Sequence, residues 1–267
     1  MADTTPVWKK RTSAEEWAMF AGWAGLAILF VWCWQVMTQN TIWAFVWDAP
    51  QQGRDLIARG FPPRWDYASQ LWKPLWDTIN MATLGTLLGT VIAVPVAFLA
   101  ARNTTPSALV ARPLALLIIV ASRSINSLIW ALVLVIIFGP GILAGILAIA
   151  LRSIGFVGKL LYEAIEEIDG TQVEAVRATG AGSLQVLDYA IWPQVLPAFA
   201  GITVFRWDIN IREATILGLV GAGGIGLPLQ SSLNTLAWSQ VSVIFALILV
   251  TVVVSEWVSA KVRHAII

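Results

Sequence analysis

Histidine and cysteine are each present only once in this chain of 267 residues. His264 lies near the C-terminal end, and Cys33 lies within an apolar stretch. These two positions cannot supply a metal site of histidine and cysteine or a cysteine–histidine nucleophile pair. The sequence also lacks the phosphate-binding loop GxxxxGKS or GxxxxGKT, so we expect that the chain does not itself hydrolyse ATP. No catalytic residue, metal or cofactor is predicted.

Charged residues are also scarce, at 12% of the chain, whereas 58% of residues are hydrophobic and the mean hydropathy is +0.74. These values lie outside the range of soluble α/β enzymes. A membrane-spanning helix needs about 20 apolar residues to cross roughly 30 Å of hydrocarbon, and such stretches recur along the whole sequence. The sequence therefore predicts an all-α integral membrane protein with six transmembrane helices. The predicted spans are 17–37, 78–100, 113–138, 142–161, 195–219 and 241–259.

The distribution of lysine and arginine indicates the orientation, because positively charged loops are retained on the cytoplasmic side. With six spans, both termini lie on one side. If that side is the cytoplasm, the long outer loop at 38–77 holds Arg54, Arg59, Arg64 and Lys73. We therefore predict cytoplasmic termini, and a short amphipathic helix on the membrane surface within the outer loop. The basic residues then at or just within the cytoplasmic face are Lys9, Lys10, Arg11, Arg102, Arg112, Arg152, Lys159, Arg177, Lys261 and Arg263.

The sequence GAGGIG at 221–226 fits the GxGxxG pattern of dinucleotide-binding sites. In such a site the motif follows a β-strand and begins a helix, whereas here it follows a predicted span and Pro228 comes soon after it. We interpret it as a glycine-rich loop on the outer side that lines or gates a pathway. Irregular backbone at membrane depth is tolerated only where it is buried in protein or faces a water-filled cavity. The predicted gate loop comprises Gly221, Gly223, Gly224 and Gly226.

The predicted cytoplasmic segment between the fourth and fifth spans contains EAVRATGAGSLQVLDYAIWPQVLP, residues 174–197. This stretch resembles the EAA loop of ABC-importer permeases, in which E-A-A is followed by glycine and then by I-x-L-P at fixed spacing. Glu174, Ala175, Gly180 and Pro193 occupy matching positions. The departures from the pattern are Val176, Ala190 and Trp192, each of which replaces one apolar residue by another.

The resemblance implies that this segment docks a cytoplasmic ATPase. Gly180 is expected to interrupt a surface helix, so that the residues before it form an exposed projection for a groove of another protein. The alternative is an ordinary loop helix with a glycine cap. The acidic run at 163–169 is expected to be a solvated face. The predicted ATPase-coupling residues are Glu174, Ala175, Arg177, Gly180 and Pro193.

Three further stretches resemble the phosphonate-uptake permeases of the same superfamily: RSINSLIWAL at 123–132, LRSIGFVGKLLYEAIEEID at 151–169 and FRWDINIREATILGLVGAGGIG at 205–226. The similarity runs from about Asp77 to the C-terminal end. It implies a type I ABC importer permease fold at 77–267 with a coupling loop at 162–192, preceded by a separate region at 1–76.

The same resemblance implies the partners and the cargo. A permease of this kind pairs with a second copy as a homodimer in the bilayer of the bacterial inner membrane. It rests on two cytoplasmic ABC ATPase subunits and receives its substrate from an extracytoplasmic binding protein. The expected substrate is a small phosphorus oxyanion such as a phosphonate, phosphite or phosphate ester. Nucleic acid is not an expected partner.

Ionisable residues inside the predicted spans are candidates for the pathway, because charge within a membrane is costly and usually functional. At 100° per residue, Arg206, Asn210 and Glu213 share one helical face, whereas Asp208 and Arg212 form an i, i+4 pair on another. The four fifth-span charges cancel, which leaves a positive arginine in the third span and favours an anion. The predicted path residues are Arg123, Asn126, Arg206, Asp208, Asn210, Arg212 and Glu213.

Two alternatives remain open from the sequence. The intramembrane charges could form a structural network that only fixes the fifth span in place. The chain could also be a secondary transporter or channel for a small anion, a class that often shows internal repeats with matched broken helices. The EAA-like stretch and the charged span each occur once, which favours the importer subunit.

Overall fold

The computed structural model describes residues 13–266, and every regular element in that part of the chain is a helix. The chain divides into two compact units, residues 1–56 and 57–267. The predicted domain boundary after residue 76 is based on where the family resemblance begins, and it stays a prediction. Lys9, Lys10 and Arg11, which contribute to the predicted orientation, lie outside the described residues.

The first unit contains helix α1, Ser13–Thr38, and most of helix α2, Trp43–Gly60. Beyond its first turn α1 is predominantly apolar around its circumference, as expected of a helix that contacts lipid. α2 carries apolar and charged residues in one short helix, which confirms a helix within the predicted outer loop.

The second unit is built around helices α3, Ala68–Ala100, and α6, Ile142–Glu166. Two glycines on α3 let the backbones of these helices approach closely. A Cβ at Gly85 would lie 2.7 Å from Ile149, and a Cβ at Gly89 would lie 2.8 Å from the carbonyl oxygen of Ala150. Glycines four residues apart commonly form such tight helix contacts in membranes.

The predicted third span is two helices rather than one. α4, Ala111–Ser124, and α5, Ser127–Phe138, meet at an angle of 89°. Ile125 is extended, and the side chain of Asn126 accepts a hydrogen bond from the backbone N–H of Leu128 at 3.1 Å. The prediction of one continuous helix at 113–138 is wrong, because this asparagine cap begins a new helix in the middle of the apolar stretch.

Beyond α6 the chain forms the short helices α7, Gly170–Ala178, and α8, Ser183–Val186. A π-helical turn then leads directly into α9, Trp192–Leu217. A 3₁₀ turn and the glycine loop follow α9. The chain ends with α10, Gly226–Asn234, and α11, Trp238–Ile266.

Four helical segments in the described part of the chain are long and apolar enough to cross a membrane, or five if α4 and α5 form one broken span. α9 is 26 residues long, but four charged residues lower its hydropathy and it does not reach that criterion. The predicted count of six spans is therefore not confirmed. The four segments are Ser13–Thr38, Trp65–Ala100, Ile142–Glu166 and Trp238–Ala265.

Candidate functional site

Arg206 is the most deeply buried charged residue of α9, with 1% of its surface exposed. Its Nε donates a hydrogen bond to Ser153 Oγ on α6 at 3.1 Å, and its Nη2 lies 3.5 Å from Glu213 Oε2. The guanidinium carbon lies 5.0 Å from the centre of the Phe156 ring. Three neighbours from two helices therefore fix the position of this positive charge.

Glu213 bridges Arg206 to a second arginine, Arg152, which is not among the predicted path residues. Arg152 Nε lies 3.5 Å from Glu213 Oε1, so each carboxylate oxygen faces a different arginine. Arg152 lies near the middle of α6, and its predicted position at or just within the cytoplasmic face stays a prediction. Its position inside an apolar stretch was the signal that could have identified it.

Asn210 joins three helices on the same face of α9. Its Nδ2 donates to Thr86 Oγ1 of α3 at 2.7 Å and to Ser153 Oγ of α6 at 3.0 Å. Its Oδ1 is buried and has no hydrogen-bond partner within residues 13–266. The prediction that Arg206, Asn210 and Glu213 share one face is confirmed, because all three point toward α6.

In the other charged pair of α9, Asp208 faces α11. Asp208 is buried and accepts a hydrogen bond from Ser255 Oγ at 2.9 Å. It also forms the predicted i, i+4 ion pair with Arg212, whose side chain is 46% exposed. This arrangement confirms the pairing, and it resembles the structural network that was left open from the sequence.

A cleft of about 380 Å³ lies beside the break between α4 and α5. Glu213 lines it together with Asn126 and residues of the first turn of α5, so two predicted path residues meet there. Arg123 lies in the last turn of α4 and is exposed. Its guanidinium makes no hydrogen bond or ion pair within the described part of the chain.

The glycine loop is buried within the second unit. Gly221, Gly223 and Gly224 have φ values of +86°, +91° and +72°, which L-residues with side chains rarely adopt. The N–H of Ile225 donates to Thr78 Oγ1 on α3 at 2.8 Å, and neighbouring Ala222 is fully buried. The loop is thus packed in protein, and its role as a gate stays a prediction.

The EAA-like stretch forms α7, a turn and α8. α7 begins at the Asp169 cap and exposes Glu174 and Arg177, while Val173 is buried beneath them. Gly180 has a φ of +84°, and its N–H donates to the carbonyl oxygen of Arg177 at 3.0 Å. The predicted interruption at glycine is confirmed. Ala175 and Pro193 are exposed, the latter in the first turn of α9.

The acidic run before α7 is not simply a solvated face. Glu166 accepts a hydrogen bond from the backbone N–H of Arg102 at 2.9 Å, and Arg112 Nη2 lies 3.7 Å from its carboxylate. Asn103 Nδ2 also donates to the carbonyl oxygen of Ile165. These contacts tie the end of α6 to the α3–α4 connection, so the expectation for Glu166 is wrong.

Comparison with known proteins identifies the family of this chain. Residues 75–263 match the family model described as "Binding-protein-dependent transport system inner membrane component". The chain belongs to this permease family. Its match covers α3 to α11, so the charged face of α9, the EAA-like stretch and the glycine loop all lie within it.

Two curated relatives share 41% of residues with this permease. The phosphite transport system permease protein PtxC of Stutzerimonas stutzeri aligns over 208 residues, which are 78% of this chain and 75% of the relative. The phosphate-import permease protein PhnE of Mycolicibacterium smegmatis aligns over 212 residues, 79% of this chain. The matched region spans only 40% of that longer relative.

Solved structures show that the permease has the type I importer fold. The inward-facing MetNI methionine ABC transporter has a TM-score of 0.63 at 22% identity and covers 74% of this chain and 96% of its own. A bacterial ABC transporter involved in the import of alginate has a TM-score of 0.59 at 18% identity, with coverages of 91% and 98%. At these identities the likeness concerns the fold alone.

The predicted path residues therefore lie in several separate places in the structure. Arg206, Asn210 and Glu213 meet α6, Asp208 and Arg212 meet α11 or the surface, and Asn126 meets the cleft. Arg123 stands apart from all of these ion pairs. Arg152 is a charged neighbour of these residues that the sequence did not predict. Its pairing with Glu213 depends on how α6 and α9 face each other, which the sequence does not specify.

Proposed function

We propose that this permease carries a small phosphorus oxyanion, such as a phosphonate, phosphite or phosphate ester, into the cytoplasm. The observation that carries the proposal is the group Arg152–Glu213–Arg206, which places two positive charges and one negative charge among the helices of the second unit. The excess positive charge attracts an anion. The named cargo of the two relatives at 41% identity, phosphite and phosphate, is consistent with this charge.

The position of these charges fits a passage. Glu213 lines the cleft at the helix break, and Arg206 lies behind it with almost no exposed surface. Charged groups within membrane proteins usually face a cavity or one another, and this group does both. Arg123, which has no counter-charge in the described residues, adds positive charge at the end of α4.

The proposed assembly contains two copies of this permease, two cytoplasmic ABC ATPase subunits and an extracytoplasmic binding protein. The exposed face of α7, with Glu174, Ala175 and Arg177, supplies a surface for the ATPase. Its buried residue Val173 fixes that surface to the end of α6. In this arrangement the permease has no ATPase site of its own, and both termini are cytoplasmic. Gly221, Gly223, Gly224 and Gly226 form the outer gate loop.

The alternative of a stand-alone secondary transporter or channel is not retained, because the chain belongs to a family of binding-protein-dependent systems. Those systems take their substrate from a separate protein.

Uptake in cells tests the proposal. The permease and its partner subunits are expressed in a bacterium that lacks its own phosphate, phosphite and phosphonate importers. We expect accumulation of phosphite, methylphosphonate or a phosphate ester that stops when the ATPase subunit carries an inactive nucleotide site. Accumulation of none of these compounds by an assembled complex would contradict the proposal.

A further inference from the structure

We propose that Arg152 and Arg206 form an oxyanion-binding site whose resident ligand is the carboxylate of Glu213, and that the transported anion takes its place. The inference rests on the proposed function, which it deepens by naming the site and the group that occupies it. Arg152 becomes a substrate-contacting residue, and Glu213 becomes an internal substitute for the substrate.

The geometry of the carboxylate is that of a shared ligand. Oε1 of Glu213 faces Arg152 Nε and Oε2 faces Arg206 Nη2, both at 3.5 Å. A phosphite or phosphonate group also presents several oxygens on one central atom, so it can face both arginines at the same time. The carboxylate thus marks the place where such a group binds.

The contacts of Glu213 are weak enough for exchange. Charge-assisted hydrogen bonds are typically about 2.7–2.9 Å long, whereas both arginine contacts of Glu213 are longer. One carboxylate also leaves one of the two positive charges uncompensated. An oxyanion with up to two negative charges matches both arginines more completely.

Arg206 keeps its position when Glu213 leaves. Ser153 Oγ accepts a hydrogen bond from Nε at 3.1 Å, and the guanidinium lies over the Phe156 ring. Neither contact involves Glu213. The site is therefore prepared for an incoming anion, and little reorganisation is required.

Access to the site is through Glu213 itself. The side chains of Arg152 and Glu213 are 29% and 20% exposed, and Glu213 lines the cleft of about 380 Å³. Arg206 is 1% exposed and does not line that cleft. An anion in the cleft reaches the arginines when Glu213 moves aside. Because the carboxylate competes for the same arginines, it also limits how tightly the pathway retains the anion.

Binding of phosphite and methylphosphonate to the full-length permease in lipid nanodiscs tests the exchange. Glu213→Gln removes the competing charge and keeps the side-chain size, so we expect a Kd at least about tenfold lower than that of the wild type. The double variant Arg152→Gln/Glu213→Gln should lose this gain. Glu163→Gln is the matched control, because it removes a carboxylate from the Lys159 ion pair on the same helix as Arg152 and should leave the Kd unchanged.

Glu213→Asp provides a second variant if the glutamine variant folds poorly. Its shorter side chain keeps the charge but cannot reach both arginines, so the Kd should fall by a smaller factor. The site would be overturned by an unchanged or higher Kd in Glu213→Gln. It would also be overturned if the double variant bound as tightly as Glu213→Gln, or if no variant bound measurably. Cellular uptake separates the two claims: uptake by the wild type without tightening in Glu213→Gln refutes the exchange alone. Tightening without uptake refutes the proposed function.

Discussion

Gly218 and Gly226 lie so close that a Cβ built on either one would be 2.5 or 2.6 Å from the Cα of the other. Gly218 follows the end of α9 and Gly226 begins α10, so this contact closes the glycine loop between the two helices. The tightest requirement for glycine in this loop is therefore a backbone contact within one subunit. Packing at Gly226 and positive φ at Gly221 and Gly223 account for the three glycines of the GxGxxG spacing.

Gly226→Ala should destabilise the permease, because the added methyl group meets backbone atoms that cannot rotate away. Overpacking of this kind typically costs about 1–3 kcal/mol. Gly201→Ala in α9 is the control, since its Cβ meets nothing within 4 Å and alanine favours helix. Thermal unfolding in detergent should show a lower midpoint for Gly226→Ala and an equal or higher one for Gly201→Ala. Equal midpoints for Gly226→Ala and the wild type would contradict the close contact.

Gly180→Val should uncouple ATP hydrolysis from uptake. The φ of +84° at this position is unfavourable for a β-branched residue and should cost at least about 1 kcal/mol, which shifts the turn after α7. Gly182→Ala is the control, because Gly182 has a φ of −70° and an added Cβ would lie 3.8 Å from Gln185 Oε1, an ordinary van der Waals contact. The measurement is the ratio of substrate transported to ATP hydrolysed in proteoliposomes. Wild-type transport by an assembled Gly180→Val complex would refute the coupling role.

Arg123→Gln should reduce anion uptake while the assembled complex keeps its basal ATPase activity, because the variant loses a positive charge that has no partner in the described residues. Lys159→Gln is the control for loss of a positive charge elsewhere. Uptake should fall several-fold in the first variant and remain near wild type in the second. Loss of assembly by Arg123→Gln would instead support a structural role.

Glu166→Gln should loosen the end of α6, where it contacts the α3–α4 connection. The variant loses the ion pair with Arg112 and weakens the hydrogen bond from the backbone of Arg102. A hydrogen bond to a charged group typically contributes about 1.5–3 kcal/mol. Neighbouring Glu167 is exposed, and Glu167→Gln is the control. Hydrogen exchange of the α3–α4 connection should be faster in Glu166→Gln only, and equal exchange in both variants would argue against this role.

The sequence predicts the helices of this permease better than it predicts the contacts between them. Apolar stretches identify α3, α6 and α11, and the 100° rotation per residue identifies the two charged faces of α9. Hydropathy averages over the asparagine cap at Asn126, so it does not predict the break between α4 and α5. The bridge from Arg152 to Glu213 joins residues 61 positions apart, and no local pattern specifies how α6 and α9 rotate toward each other.

ATP-dependent uptake into proteoliposomes tests the central claim most directly. The permease is reconstituted with its ATPase subunits, and the binding protein is supplied on the outside with labelled phosphite, methylphosphonate or a phosphate ester. The account predicts accumulation inside the vesicles that requires ATP and the binding protein and falls in Arg206→Gln. ATP hydrolysis stimulated by the binding protein with no accumulation of any of these compounds would contradict it.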